Sequence, residues 1–151
     1  MIDCIEKPSP NFDERQLPVS MIVLHYTGMP DMQSALDRLT SPEAHVSSHY
    51  LVDEDGTVFR LVDEANRAWH AGKSRWRGVG DVNSASVGIE IVNPGHEFGY
   101  REFPDEQMAS VIPLVADIKE RHGIGRGNVV GHSDVAPARK EDPGELFPWH
   151  A

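Results

Sequence analysis

The run Ser20-Met-Ile-Val-Leu-His-Tyr is short, apolar and β-branched, which suits a buried strand, and the turn Gly28-Met29-Pro30 ends it. His25 therefore sits at a strand end. Two further runs, 48–52 and 57–62, flank Asp53-Glu54-Asp55-Gly56, whose Asp-Gly step supplies turn chemistry for a hairpin of adjacent antiparallel strands. Ser86-Val-Gly-Ile-Glu-Ile-Val is another strand. Alternation puts Val87, Ile89 and Ile91 on one face and Gly88, Glu90 and Val92 on the other. Asn128-Val-Val-Gly is a short strand that delivers His132.

Helical spacing occurs twice. Asp31 can cap a helix with Met32, Ala35, Leu36 and Leu39 on one face, stopped by Ser41-Pro42. Pro104-Asp105-Glu106-Gln107 opens a longer helix in which Met108, Val111, Ile112, Val115, Ile118 and Lys119 recur and which His122-Gly123 closes. Pro113 inside that pattern predicts a kink or a weakened turn. The expected fold is α/β: one domain over residues 19–151, with a mixed central β-sheet flanked by helices. Residues 1–18 carry three prolines and little periodicity, and are expected as an extended lead-in that wraps the domain.

Composition narrows the function classes. A chain of 151 residues is long enough to bury roughly two-thirds of the surface its unfolded form exposes. The formal net charge of -10 repels polyanions and gives no basis for non-specific nucleic-acid binding. Any anionic substrate must be held by local cations. The single cysteine, Cys4, excludes an intrachain disulfide and a Cys-based zinc cluster. The first 18 residues hold no apolar run of signal-peptide length, and no segment approaches a membrane span. The expectation is a cytoplasmic monomer, with a periplasmic location if a leader has been removed.

Three metal-ligand types lie at the ends of these elements: His25 after the first strand, His132 after the last, and Asp142 in Ala138-Arg-Lys-Glu-Asp-Pro-Gly. Two neutral imidazoles and a carboxylate leave a fourth tetrahedral position open, as in catalytic rather than structural zinc sites. The spacing forms no compact motif, and a lone histidine is more often a surface or hydrogen-bonded residue.

Six blocks in order carry a more specific signal: Val23-Leu-His-Tyr-Thr, Ser48-His-Tyr-Leu-Val, Ala68-Trp-His-Ala-Gly, Ser86-Val-Gly-Ile-Glu-Ile, 130–140 (Val-Gly-His-Ser-Asp-Val-Ala-Pro-Ala-Arg-Lys) and Asp142-Pro-Gly. From about residue 20 to Trp149 the chain resembles the N-acetylmuramoyl-L-alanine amidase family, and within it the AmpD/AmiD-like zinc enzymes, of amidase_2 or peptidoglycan-recognition-protein fold. The resemblance implies a Zn2+ enzyme that hydrolyses the amide between the lactyl group of (anhydro-)N-acetylmuramic acid and the first L-alanine of the stem peptide. Its partner is then a muropeptide or peptidoglycan fragment and, with no export signal in the sequence, its expected role is cell-wall recycling. The family's zinc ligands map onto His25, His132 and Asp142, Asp142 being the carboxylate alternative to a cysteine seen in some members.

The same resemblance makes Glu90 the acid/base that takes a proton from water and passes one to the leaving amine. Lys140 becomes the ammonium beside the developing oxyanion. As an extended pair at i and i+2, Lys140 and Asp142 would point to one side, with Glu141 facing away and dispensable. Substrate contacts are expected at His70, Asn93 and Tyr50, and at Arg75 and Arg77, whose guanidinium groups suit stem-peptide carboxylates. His49 is expected to pack beside the hairpin, and His45, His96, His122 and His150 to lie at the surface. Ser133-Asp134 either orients His132 or turns the chain. Two other roles fit the same blocks: a periplasmic or phage-type amidase on intact wall, and a recognition module that binds muropeptides without cutting them. Such modules typically lose a zinc ligand, which this chain retains.

Overall fold

A computed structural model describes residues 2–150. In chain order its elements are β1 (Ile5–Glu6), β2 (Phe12–Glu14), β3 (Met21–Tyr26), α1 (Met32–Thr40), β4 (Tyr50–Val52), β5 (Val58–Arg60), β6 (Asn66–Ala68), α2 (Val82–Ala85), β7 (Ser86–Ile91), α3 (Asp105–His122), β8 (Val129–Gly131) and α4 (His132–Val135). Six strands form one mixed sheet in the order β1-β5-β4-β7-β3-β8; β2 and β6 form a separate antiparallel pair. Among the described residues no helix is long and apolar enough to cross a membrane.

The centre of the sheet is parallel, β4 to β7 to β3 to β8, and only the hairpin partner β5 runs against its neighbour β4. β3 is buried from Met21 to His25 because other elements cover both of its faces. Ile22 and Leu24 share one face with Val87, Ile89 and Ile91, and this face packs on Met108, Val111, Leu114 and Ile118 of α3. Burying such side chains contributes roughly 1.5–3 kcal/mol each. On the opposite face Leu51, Phe59 and Val92 meet Ala35, Leu36 and Leu39 of α1. Asp31 caps α1 as expected, its carboxylate accepting from Ser34 N–H at 2.8 Å.

The long helix differs from its sequence pattern in two ways. Ile112 is 41% exposed and Leu114 takes the buried position. Pro113 does not break α3. It lies on the solvent side, as does Ala109, so the carbonyl that Pro113 leaves without a backbone donor can turn to water. Gln107 is wholly buried, and its amide donates to Val52 O and Val92 O, which fastens α3 to the ends of β4 and β7.

The first 18 residues are extended but also paired. β1 adds to the sheet edge beside β5, and β2 pairs with β6. Ser9 and Asn11 are buried, with Asn11 Nδ2 donating to Ser41 O and Val46 O. Sequence periodicity does not show these strands, because two and three residues are too few to display alternation.

Candidate metal centre and catalytic cleft

The parallel strands β3, β7 and β8 bring three chain segments to one place, at their carboxyl ends, where open α/β sheets bind ligands. The register Leu24↔Gly131 sets His132, the next residue, beside His25. His25↔Glu90 are paired across β3 and β7 and so share a face. Asp142 arrives on the C-terminal loop, which lies directly against β8. A Cβ on Gly131 would stand 2.8 Å from Pro143 Cδ, so the absence of a side chain there admits the loop. Ser133 N–H donates to Asp142 O at 3.0 Å, and Asp134 accepts from Gly131 N–H at 2.7 Å, so both residues after His132 anchor the backbone around it.

His25, His132 and Asp142 are all buried, and one ligand atom of each converges on a common point. Nδ1 of His25 lies 3.0 Å from Nδ1 of His132 and 3.1 Å from Asp142 Oδ2, and His132 Nδ1 is 3.3 Å from the same oxygen. The hydrogen bonds behind the rings fix which nitrogens carry protons. Ser86 Oγ donates to Val82 O at 2.6 Å, so it accepts from His70 Nε2–H at 3.0 Å. His70 Nδ1 is then an acceptor and takes the Nε2–H of His25 at 2.9 Å. His132 Nε2–H donates to Ala71 O at 2.9 Å. Both metal-facing Nδ1 atoms therefore present lone pairs. Burial lowers the His25 pKa to about 4, so this ring is neutral at neutral pH.

Three acceptors facing one another with no donor between them repel, and a cation relieves the repulsion. The spacing suits zinc: ligand bonds of roughly 2.0–2.1 Å in a tetrahedron put ligand atoms about 3.3 Å apart. The donor set, two imidazoles and one carboxylate, is that of a site with an open fourth position.

Glu90 stands beside this cluster with its Oε2 3.7 Å from His25 Nδ1 and its side chain only 13% exposed. It is thus not the solvent-facing strand residue that alternation alone allows. Burial pushes its pKa well above the ordinary 4.5 and nearby Asp142 pushes it further, against the opposing charges of Lys140 and Arg38. Such a carboxyl holds a proton more readily than an exposed glutamate does. Lys140 lines the same cleft, which has a volume of about 660 Å³ and is further lined by Arg38, Trp69, Arg139 and Glu97. Glu141 is at the rim and faces His96 rather than the metal-ligand cluster.

The expected substrate contacts fare differently. His70 lines the cleft, but its ring nitrogens are committed to His25 and Ser86. Asn93 is fully buried: its amide donates to Arg101 O and its carbonyl accepts from Gly95 N–H, so it closes a turn and does not line the cleft. Tyr50 is on the other face of the sheet, because it shares the alternation of Val52, and its hydroxyl donates to Glu64. Arg75 and Arg77 do not line the cleft; Arg77 lies over the Trp76 ring.

The arginines that line the cleft are Arg38 and Arg139 instead. Arg38 is next to Leu39 on the solvent side of α1, where helical spacing reads as ordinary surface. Arg139 lies inside one of the motif blocks, the one signal that pointed toward it. His49 is wholly buried, accepting from Gly88 N–H and donating to Asn66 O. His96 is not a plain surface residue: it stacks on Tyr100 and meets Tyr26 and Glu145. His122 pairs with Glu64 at 2.6 Å.

Comparison with known proteins gives a consistent picture. The family model described as N-acetylmuramoyl-L-alanine amidase matches residues 15–145. The N-acetylmuramoyl-L-alanine amidase AmiD of Escherichia coli is 42% identical over 143 residues, covering 87% of this chain and 51% of its own length. The 1,6-anhydro-N-acetylmuramyl-L-alanine amidase AmpD of Haemophilus influenzae is 32% identical over 169 residues, covering 99% of this chain and 90% of its own. The chain thus spans about half the length of the first relative and most of the second. Among solved structures, E. coli AmiD in complex with the substrate anhydro-N-acetylmuramic acid-L-Ala-D-gamma-Glu-L-Lys matches with a TM-score of 0.80 at 42% identity, over 87% of this chain and 55% of that one. An AmpD structure matches with a TM-score of 0.86 at 28% identity, over 99% of this chain and 96% of that one.

Proposed function

The chain belongs to the N-acetylmuramoyl-L-alanine amidase family, and from that premise we propose that it hydrolyses the amide between the lactyl group of anhydro-N-acetylmuramic acid and L-alanine, as a zinc enzyme of muropeptide recycling. The observation that carries the catalytic reading is the convergence of three acceptors, His25 Nδ1, His132 Nδ1 and Asp142 Oδ2, beside a buried carboxyl of raised pKa. A binding-only module needs neither feature.

His25, His132 and Asp142 would hold the metal. Zinc bound there supplies a water activated near neutral pH and a Lewis acid for the scissile carbonyl. Glu90 takes the proton of the attacking water on its carboxylate and returns one to the departing amine of L-alanine. Its burial keeps the protonated state accessible between those two transfers. Lys140 is among the residues that line the cleft, and its role is to offer an ammonium to the oxygen on which negative charge develops. Arg38 and Arg139 supply local positive charge for the stem-peptide carboxylates in a chain whose net charge is -10. The substrate class follows from relatives whose names specify anhydro-muramyl amides.

Metal analysis of the purified protein, followed by incubation with an anhydro-muramyl tripeptide and chromatography of the products, tests this reading. The expected result is zinc near one equivalent and release of free peptide. Protein that binds the muropeptide without zinc or cleavage overturns it in favour of a recognition module. Higher turnover on intact sacculi than on soluble fragments overturns the recycling role while leaving the chemistry.

A further inference from the structure

The two histidines of the metal centre are oriented from one place in the chain. His70 Nδ1 accepts from His25, and the carbonyl of the next residue, Ala71, accepts from His132. The backbone N–H groups of His70 and Ala71 in turn donate to a single oxygen, Asn83 Oδ1, at 3.1 and 2.8 Å. Arg139 closes the segment from the other side, its Nη2 donating to Ala71 O at 3.1 Å and to Lys73 O at 2.6 Å. The His70 ring is pressed against β7, where a Cβ on Gly88 would come within 2.5 Å of His70 Cγ. The backbone of Gly88 is itself held by His49, whose Nδ1 accepts its N–H at 3.0 Å.

We infer that His70-Ala71 is one outer clamp that selects the Nδ1-binding tautomer of both metal histidines, and that His70 and Asn83 are positioning residues rather than substrate contacts. His70 does with a neutral imidazole what a carboxylate does behind many metal-bound histidines. Orientation is thereby gained without a third negative charge beside Glu90 and Asp142, which would raise the Glu90 pKa further. Ser86 completes the arrangement: with its proton committed to Val82 O, its oxygen can only accept, and this leaves Nδ1 of His70 as the acceptor toward His25. The short helix α2 thus matters to the metal site through Val82 and Asn83, although it contributes no ligand.

The inference rests on the metal-centre reading above and is tested by zinc affinity rather than turnover. Zinc dissociation constants of the wild type, His70→Phe and His70→Asn are measured by competition with a chromophoric chelator. Thermal melts of the metal-free proteins confirm folding. Phe keeps the bulk of the ring but offers no acceptor, and its zinc affinity is expected to fall about 10–100-fold. Asn is smaller, but its Oδ1 takes the place of the imidazole Nδ1, and it is expected to stay within about threefold of wild type. A packing role predicts the reverse order, with Phe closer to wild type than Asn, and that order overturns the inference. A folded His70→Phe protein within about twofold of wild-type affinity also overturns it, since loss of an outer partner costs more than that. If His70→Phe does not fold, His70→Leu takes its place in the same comparison. Failure of the wild type to bind zinc overturns the metal centre itself, a different result from either of these.

Discussion

The sheet carries a polar cluster on each face, and the two are balanced differently. On the α3 face Glu64 accepts from the Tyr50 hydroxyl, from Arg121 and from His122, so each contact joins a donor to an acceptor. On the α1 face His25, His132 and Asp142 present three acceptors to one another. Both clusters combine histidine with a carboxylate, but His25, His132 and Asp142 are all buried whereas Arg121 and His122 reach the solvent. The first is closed and fastens the end of α3 to the loop after β5. The second is open, with three groups that could hold a metal ion. Donor and acceptor balance, rather than residue type, separates the structural cluster from the functional one.

Removing an acceptor from the open cluster breaks the contrast most severely. Asp142→Ala leaves two imidazoles and is expected to lose stoichiometric zinc and all measurable hydrolysis together. Glu90→Ala leaves all three ligands, so it is expected to keep zinc while turnover falls by roughly 10²–10⁴-fold, the range of a lost general base. Elemental analysis alongside an anhydro-muramyl peptide assay reads both variants. Near-native turnover in Glu90→Ala would show that another group handles the proton.

Lys140 gives the next largest effect. Lys140→Ala is expected to retain zinc, since the side chain is not a ligand. Its kcat is expected to fall about 10²–10³-fold with little change in KM, the pattern for a charge that meets only the developing oxyanion. If KM rises while kcat holds, Lys140 binds the ground-state substrate and belongs with Arg38 and Arg139.

The difference between the faces also explains what the sequence made legible. Val87, Ile89 and Ile91 alternate regularly and sit where alternation puts them, as do Ala35, Leu36 and Leu39 of α1. His25, Glu90, His132, Lys140 and Asp142 were singled out through ordered motif blocks, since they come from separate segments that only the parallel sheet and the C-terminal loop bring together. Tyr50 and Asn93 were misjudged because a motif position does not reveal which face a side chain occupies. Tyr50 alternates with core residues, and Asn93 spends both ends of its amide on a turn. Asn83 gave no signal, and Ser86 none beyond opening a motif block: a lone polar residue in a short helix or at a strand start has no periodicity, and its meaning lies in which groups it meets.

The smallest expected effect tests whether the closed cluster is purely structural. Burial raises the Glu64 pKa, but the hydrogen bonds from Tyr50 and His122 and the charge of Arg121 outweigh it, so the net position is below the ordinary 4.5. A carboxylate whose pKa is depressed by folding stabilises the native state above its unfolded value, and that contribution is lost as pH falls through the depressed value. Glu64→Gln replaces an acceptor-only group with one that also donates, which sets an amide N–H against three donors. At neutral pH the variant is expected to be less stable by about 1–3 kcal/mol. The gap to wild type should narrow only as pH falls below the ordinary 4.5 and through the depressed value, as the wild-type carboxylate takes up its proton. Denaturant melts across that range measure it. Zinc content and kcat at neutral pH should be unchanged, because Glu64 and its partners lie across the sheet from His25. A fall in kcat with full zinc occupancy would show that the two faces are coupled through β4 and β7, and that the closed cluster contributes to the shape of the open one.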